Sequence, residues 1–341
     1  MLADSASRLP KRTRCLWIPI ILLSVLASIG SAEKTVRAAR RRAATGQRKS
    51  FTHGGRSRSY RIHVPRSYDG KTTVPLVFVF HGGGGTAEVA SKMGFTPIAD
   101  AEGFIVVYPE GLNKHWNDGR HSTKFAEQDA RVDDVAFILA LLKKLQKEFR
   151  IDRERIYATG ASNGGFFSHR LAIDASDTFA AVAVMIATLG KPVAEKFHPA
   201  RPMPILFMNG TADPFVPYNG GPIAPNFLPR LVDSKTRDFG RGRCISTDAA
   251  VRLWLVRDGL ANTSPKVTLM PNKAPLDGCR VERRVWSGGK SGTEVVLYRV
   301  TGGGHTIPGG VQYLPRRIIG RTCRDFDGLQ EIWRFLKRHT R

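Results

Sequence analysis

The run Tyr157-Ala158-Thr159-Gly160-Ala161-Ser162-Asn163-Gly164-Gly165 constrains this chain more than any other stretch, because an apolar strand leads directly into a Gly-x-Ser-x-Gly turn and then a helical pattern. Glycines at 160 and 164 let the backbone reverse sharply, so that the Ser162 hydroxyl stands clear of a sheet as a nucleophile. Downstream, and in the chain order that a strand-borne serine of this kind requires, come Asp213 in Asn209-Gly210-Thr211-Ala212-Asp213-Pro214 and His305 in Gly302-Gly303-Gly304-His305-Thr306. Upstream, strand-like Val77-Phe78-Val79-Phe80 delivers His81-Gly82-Gly83-Gly84-Gly85. An oxyanion is expected to be held by the backbone N–H of Asn163 and by that of Gly83 or Gly84. The glycine run has neither the spacing nor the Lys-Ser/Thr ending of a phosphate cradle.

At these places the sequence resembles the polyhydroxybutyrate depolymerase-like and feruloyl esterase-like branch of the α/β-hydrolases, mostly secreted bacterial esterases. The resemblance covers roughly Phe51 to Arg338 and takes in Val107-Tyr108-Pro109-Glu110-Gly111, Trp116-Asn117, Val132-Asp133-Asp134-Val135, Asn209 to Tyr218 and Gly302 to Gly310, in family-like order. It implies Ser162 as nucleophile, Asp213 as the acid that orients the base, His305 as base, and no metal or cofactor. It also implies that Trp116 lines the acyl pocket, although a packing role fits that residue equally. Two departures stand out. Ile307 replaces a tryptophan that relatives carry two residues after the histidine, and Leu260 and Gly289 stand where many relatives have a cysteine pair.

With 341 residues, 42% of them hydrophobic, the chain can fill one large core, and we expect a single α/β-hydrolase domain over residues 51–341, with a mostly parallel sheet covered by helices on both faces. Short apolar or β-branched runs at Ser59 to Val64, Leu76 to Phe80, Phe104 to Tyr108, Arg155 to Thr159, Ala180 to Ile186, Ile205 to Met208 and Glu294 to Val300 are the expected strands. Helical periodicity is clearest from Val132 to Phe149, with Asp133 and Asp134 in the favourable first turn, and recurs from Phe326 to Arg338. The Pro-, Gly- and Arg-rich stretch Tyr218 to Gly242 reads as a loop or small lid over the active-site end.

The first fifty residues differ in kind. Arg8, Lys11, Arg12 and Arg14 precede the apolar run Leu16 to Ile29, and Gly30-Ser31-Ala32 suits cleavage after Ala32. Residues 1–32 therefore read as a secretory signal. The alternative is an uncleaved anchor, since Leu16 to Ala32 approaches the roughly 17 residues of a short spanning helix. Residues 33–50, rich in Ala and Arg, read as a disordered basic leader. Beyond the signal three cysteines remain, Cys244, Cys279 and Cys323. Their odd number allows one internal bridge with a thiol left over, or none, without choosing the pair, and no Cys-x-x-Cys arrangement points to metal or redox chemistry.

The expected activity is hydrolysis of polymeric or oligomeric esters, by a monomer. A non-catalytic polymer binder on the same fold is the alternative from another class, and a serine peptidase is the alternative among enzymes. The net charge is +24, of which residues 1–50 carry +9 and the remainder +15. Such a body favours an anionic polysaccharide or lipid surface as partner, while no zinc-finger spacing or aromatic-basic motif suggests nucleic acid. If this field steers substrate, hydrolysis of an acidic polymeric ester at low concentration falls steeply as salt approaches 0.15 M, where charges are screened beyond roughly 8 Å. A neutral nitrophenyl ester is then indifferent to salt. Parallel salt curves for the two substrates assign the charge to solubility or wall retention instead.

Overall fold

A computed structural model of the chain describes residues 46–125, 131–224 and 240–341. The signal-like segment and all but the end of the basic leader lie outside the described residues. Within Ala44–Arg341, one compact unit, the strands are β1 (Gln47–His53), β2 (Arg56–His63), β3 (Val74–Phe80), β4 (Ile105–Pro109), β5 (Ile151–Ala161), β6 (Ala181–Met185), β7 (Ile205–Gly210), β8 (Gly221–Pro222), β9 (Arg243–Cys244), β10 (Lys266–Leu269), β11 (Arg280–Trp286) and β12 (Val295–Thr301). The helices are α1 (Ala87–Ser91), α2 (Phe95–Glu102), α3 (Asp134–Glu148), α4 (Asn163–Asp174), α5 (Lys191–Glu195), α6 (Thr247–Arg257), α7 (Arg316–Ile319) and α8 (Gly328–Leu336).

Ten strands form one sheet in the order β1-β2-β4-β3-β5-β6-β7-β12-β11-β10. Its centre, from β4 to β12, is parallel, and each flank is closed by antiparallel strands. The parallel centre is apolar on both faces because both are covered. Along β3 the side chains alternate between two cores, Phe78 and Phe80 on one face and Val77 and Val79 on the other. Helices α3, α4 and α6 cover the first face with Ile138, Phe167 and Trp254. Helices α1, α2 and α8 cover the second with Ala90, Ile98 and Trp333. This is the α/β-hydrolase architecture. Among the described residues no helix is long and apolar enough to cross a membrane.

The expected strands and both expected helices are present, with ends shifted by a few residues. Helix α3 starts where Asp133 caps it, its side chain accepting from Ala136 N at 2.8 Å, and Asp327 caps α8 in the same way. One boundary needs correction. The leader does not extend to residue 50, because Gln47 to Ser50 already pair with β2. Its polar sequence hid this edge strand, whose only strong apolar anchor is Phe51, stacked 5.8 Å from Phe137. The expected lid is structured at its ends, where β8 pairs with β9, while residues 225–239 lie outside the described residues. Leu260 and Gly289 are neighbours, with Leu260 Cδ1 only 3.1 Å from where a Cβ on Gly289 would sit. The leucine fills that space.

Between α4 and α6 a buried histidine replaces one apolar contact. His169 Nδ1–H donates to the Thr188 carbonyl at 3.0 Å, and Nε2 accepts from Trp254 Nε1 at 2.7 Å. Burial lowers its pKa to about 4, against the opposing effect of the Thr188 hydrogen bond. The unfolded chain therefore takes up a proton near 6.5 that the folded chain refuses until about 4, and this contribution to stability is lost as pH falls through that interval. In His169→Gln an amide oxygen keeps the bond to Trp254 without titrating. The stability advantage of the parent over this variant, read from urea unfolding, should shrink by up to about 3 kcal/mol between pH 7 and pH 4. A constant difference refutes the assignment.

Candidate active site

Three parallel strands carry the sequence-predicted residues to one edge of the sheet. β5 ends at Ala161, and Ser162 follows with φ 57° and ψ −123° before α4 begins. For a residue with a side chain this backbone is strained by about 1–3 kcal/mol and persists only where its surroundings enforce it. They do so here. Ser162 N donates to Met185 O at 3.0 Å, and Ser162 O accepts from Phe166 N at 2.9 Å. A Cβ on Gly160 would lie 2.5 Å from Gly164 O, and one on Gly164 only 2.4 Å from Phe80 O. Both positions exclude any side chain, so the turn depends on these two glycines. The hydroxyl stands at the N-terminus of a 12-residue helix, where unpaired amides favour developing negative charge.

Asp213 follows β7, and His305 follows β12, the strand that pairs with β7 in parallel. The two turns interlock: Ala212 N donates to Gly303 O at 2.9 Å and Gly302 N to Thr211 Oγ1 at 3.0 Å. His305 Nδ1 meets Asp213 Oδ2 at 2.7 Å, and both side chains are almost wholly buried. The other carboxylate oxygen accepts from Phe215 N at 2.8 Å and Val216 N at 2.9 Å. Asp213 is thus both a turn residue and the partner of the imidazole. His305 is held from its main chain too, by N–H donation to Ile319 O at 2.6 Å and by acceptance from Tyr313 Oη at 3.0 Å. Phe215 covers the ring at 4.9 Å. Ser162 stands at the same edge of the sheet, but among the described residues its hydroxyl is not hydrogen-bonded to His305. Ile307, at the tryptophan position of relatives, is partly buried against the core that holds Phe326 and Leu329.

The glycine loop after β3 lies against Ser162. A Cβ on Gly82 would sit 3.5 Å from Ser162 Cβ, and one on Gly83 3.6 Å from Asn163 Cβ. The N–H groups of Gly83 and Asn163 have no acceptor among the described residues, whereas Gly84 N donates to Lys114 O at 2.9 Å. Of the two glycines expected as donors, Gly84 is therefore already committed. His81 fixes the loop: Gly111 N donates to its Nε2 at 3.0 Å, leaving Nδ1–H for the Gly82 carbonyl at 2.8 Å. Burial depresses its pKa to about 4, with the Gly82 bond opposing. The ring is neutral at ordinary pH and keeps that tautomer.

Trp116 is not a wall of the pocket. It has no exposed surface, donates from Nε1 to His81 O at 3.1 Å and stacks on Phe167 at 4.9 Å. Its bulk fills the space beneath the glycine loop, so the packing alternative holds and the substrate-lining one does not. Three polar residues that sequence reasoning passed over complete the support. The Asn163 side chain accepts from Trp116 N at 2.8 Å and donates to Asp118 Oδ2 at 2.7 Å. Asp118 pairs with Arg120 at 2.8 Å, both buried. Beyond them Asp134, joined to Arg58 at 2.6 Å in another buried pair, accepts from Asn117 N at 2.8 Å. The family-like Trp-Asn and Val-Asp-Asp runs were the signal for this bracing, but spacing alone did not show that they meet.

Residues 58–213 match the family model described as "Esterase PHB depolymerase". The chain is 34% identical over 289 residues to "Putative esterase NocK" of Nocardia uniformis subsp. tsuyamanensis, covering 82% of this chain and 79% of that protein. It is 30% identical over 253 residues to "Feruloyl esterase B" of Piromyces equi, covering 72% of this chain but only 42% of that protein. Among solved structures, an acetyl xylan esterase from Aspergillus awamori aligns with a TM-score of 0.53 at 14% identity, over 85% of this chain and 99% of that one. A thermostable esterase aligns at 0.51 and 16%, over 87% and 64% respectively. These two likenesses are of fold. The family match and the relatives in sequence, on this fold and with its strand-borne serine and glycine loop, make the chain a carboxylic ester hydrolase that belongs to the polyhydroxybutyrate depolymerase-like and feruloyl esterase-like family of α/β-hydrolases.

Proposed function

We propose that the enzyme cleaves its ester through an acyl-enzyme formed on Ser162, with His305 as base and Asp213 as the group that orients it. The observation that carries this reading is the 2.7 Å bond between His305 Nδ1 and an Asp213 carboxylate whose other oxygen is held by two backbone amides. That bond keeps the imidazole in the tautomer with a free Nε2 lone pair. His305 Nε2 takes the serine proton as Oγ attacks the acyl carbon, then returns it to the departing alcohol. Water repeats the attack on the acyl-enzyme and releases the acid. The hydrogen bond from Ser162 to His305 forms in the substrate complex, since such catalytic bonds are often long in the free enzyme. The amides of Asn163 and Gly83 receive the developing oxyanion, each worth about 3 kcal/mol in systems of this kind.

For substrate we propose polyhydroxyalkanoate-type oligomers or acyl and feruloyl esters of polysaccharide, the two chemistries named among the relatives. Polyester film and feruloylated xylan, tested beside a nitrophenyl ester panel, decide between them. We further assign the enzyme to export with cleavage after Ala32, on the succession of basic, apolar and small residues before it. Secreted protein should then begin at Glu33 by intact mass, and a start at Met1 refutes the assignment.

Ser162→Ala should lower kcat on a nitrophenyl ester by at least about 10⁴-fold while leaving the unfolding midpoint unchanged. His305→Ala should cost about as much, and the double variant little more, because the groups act as one unit. Activity within a few-fold of the parent in either single variant, or a double variant far below both, overturns the mechanism.

A further inference from the structure

Of the three thiols buried among the described residues, Cys244 stands apart on the face of the sheet that α4 and α6 cover, while Cys279 and Cys323 share the opposite core. The sulfur atoms of Cys279 and Cys323 and a carboxylate oxygen of Asp277 all lie within 4.8 Å of one another. Both sulfurs are buried, each residue retaining 1% of its surface. Asp277 holds the two cysteine-bearing segments together: one oxygen accepts from Cys279 N at 2.7 Å and the other from Arg324 N at 2.7 Å. Its carboxylate is thereby engaged on both oxygens with main-chain amides, and among the described residues the cluster offers a cation these three side chains alone, with no histidine. Two adjacent sulfurs clamped at the backbone suit a covalent link better than a metal.

We propose that Cys279 and Cys323 form a disulfide that ties the start of β11 to the segment between His305 and α8, leaving Cys244 as a thiol. The segment it would fix is the one that carries the base. Cys323 O accepts from Gly309 N at 2.8 Å, and Arg321 O accepts from Gly304 N at 2.8 Å and from Thr306 Oγ1 at 2.9 Å. In the folded chain the two sulfurs are near enough for a hydrogen bond between them to lower the pKa of Cys279 and raise that of Cys323. The oxidant is a low-molecular-weight disulfide. One of the two cysteines, as its thiolate, displaces one of the oxidant's thiolates to give a mixed disulfide, and the other, losing its proton, then attacks the first cysteine's Sγ and expels the second. Two protein thiols are oxidised and one external disulfide is reduced to two thiols. Because both sulfurs end up buried, the exchange occurs while the chain folds, and the finished bond is shielded from reductant.

The test is to refold the full chain in oxidised and reduced glutathione, denature it, alkylate free thiols without reduction and map peptides by mass. The expected result is a peptide pair joining Cys279 to Cys323 with loss of two hydrogens, and alkylation of Cys15 and Cys244. Cys244→Ser should keep the link and Cys279→Ser should abolish it. Closing a loop of this length should raise Tm by roughly 6 °C over the reduced protein. Alkylation of all four cysteines, a link involving Cys244 or Cys15, or zinc that co-purifies and protects both thiols without loss of hydrogen each overturns the proposal.

Discussion

Everything at the active edge of this enzyme depends on the close approach of backbone to backbone at Gly160, Gly164 and the end of β3. With a Cβ on Gly164 only 2.4 Å from Phe80 O, α4 is seated on the carbonyl where β3 becomes the glycine loop. The strained serine and the candidate oxyanion donors are therefore not placed independently. The packing distance between one helix and one strand sets both. The cost of a residue held at φ 57° is offset by the many contacts that fix its flanks, the usual circumstance in which such strain survives.

Polar groups beneath the site hold its loops in register more than they add stability. Desolvation, the largest influence on Asp134, raises its pKa even though Arg58 lies 2.6 Å away, and removing ions from water commonly consumes most of what their attraction returns. The pair acquires its value through what else Asp134 holds, the amide of Asn117. Asp118 does the same for Asn163 while paired to Arg120. A chain of charged and amide groups thus runs from the first turn of α3 to the first residue of α4. Neutral His81 and Trp116 hold the facing loop by the same means, each donor matched to one acceptor.

Much of this was legible in the sequence, for identifiable reasons. The parallel centre is doubly buried, so its strands read as apolar runs, and Ser162, Asp213 and His305 fall immediately after such runs. The flanks were less legible. β11 reads Arg-Val-Glu-Arg-Arg-Val-Trp, with only Val281 and Trp286 buried, and β10 is exposed along its whole length, so burial left no continuous pattern in either. Helix α6 did carry signals, a Ser246 cap and buried Val251, Trp254 and Leu255, but half-buried Leu253 and exposed Val256 put apolar residues on its outer side as well and blur the contrast between faces. Trp116 and Gly84 show a different limit. Residue type and position were suggestive, but only partners distinguish a wall from a brace, or a free amide from one bound to Lys114.

The pairing of β7 with β12 carries a consequence for how the molecule assembles. Asp213 and His305 are 92 residues apart, and between them the chain leaves the sheet for a two-stranded ribbon and a helix before β10 and β11 form. The two turns meet only after that excursion has closed, and closure entropy must be overcome before the parallel ladder compensates for it. A contact of this separation is expected to form after the local helices and turns, and on the proposed mechanism it is the one that orients the base. A chain in which these two turns have not met has a helix N-terminus and a glycine loop but no oriented imidazole, so under the proposed mechanism turnover requires that the two turns have closed.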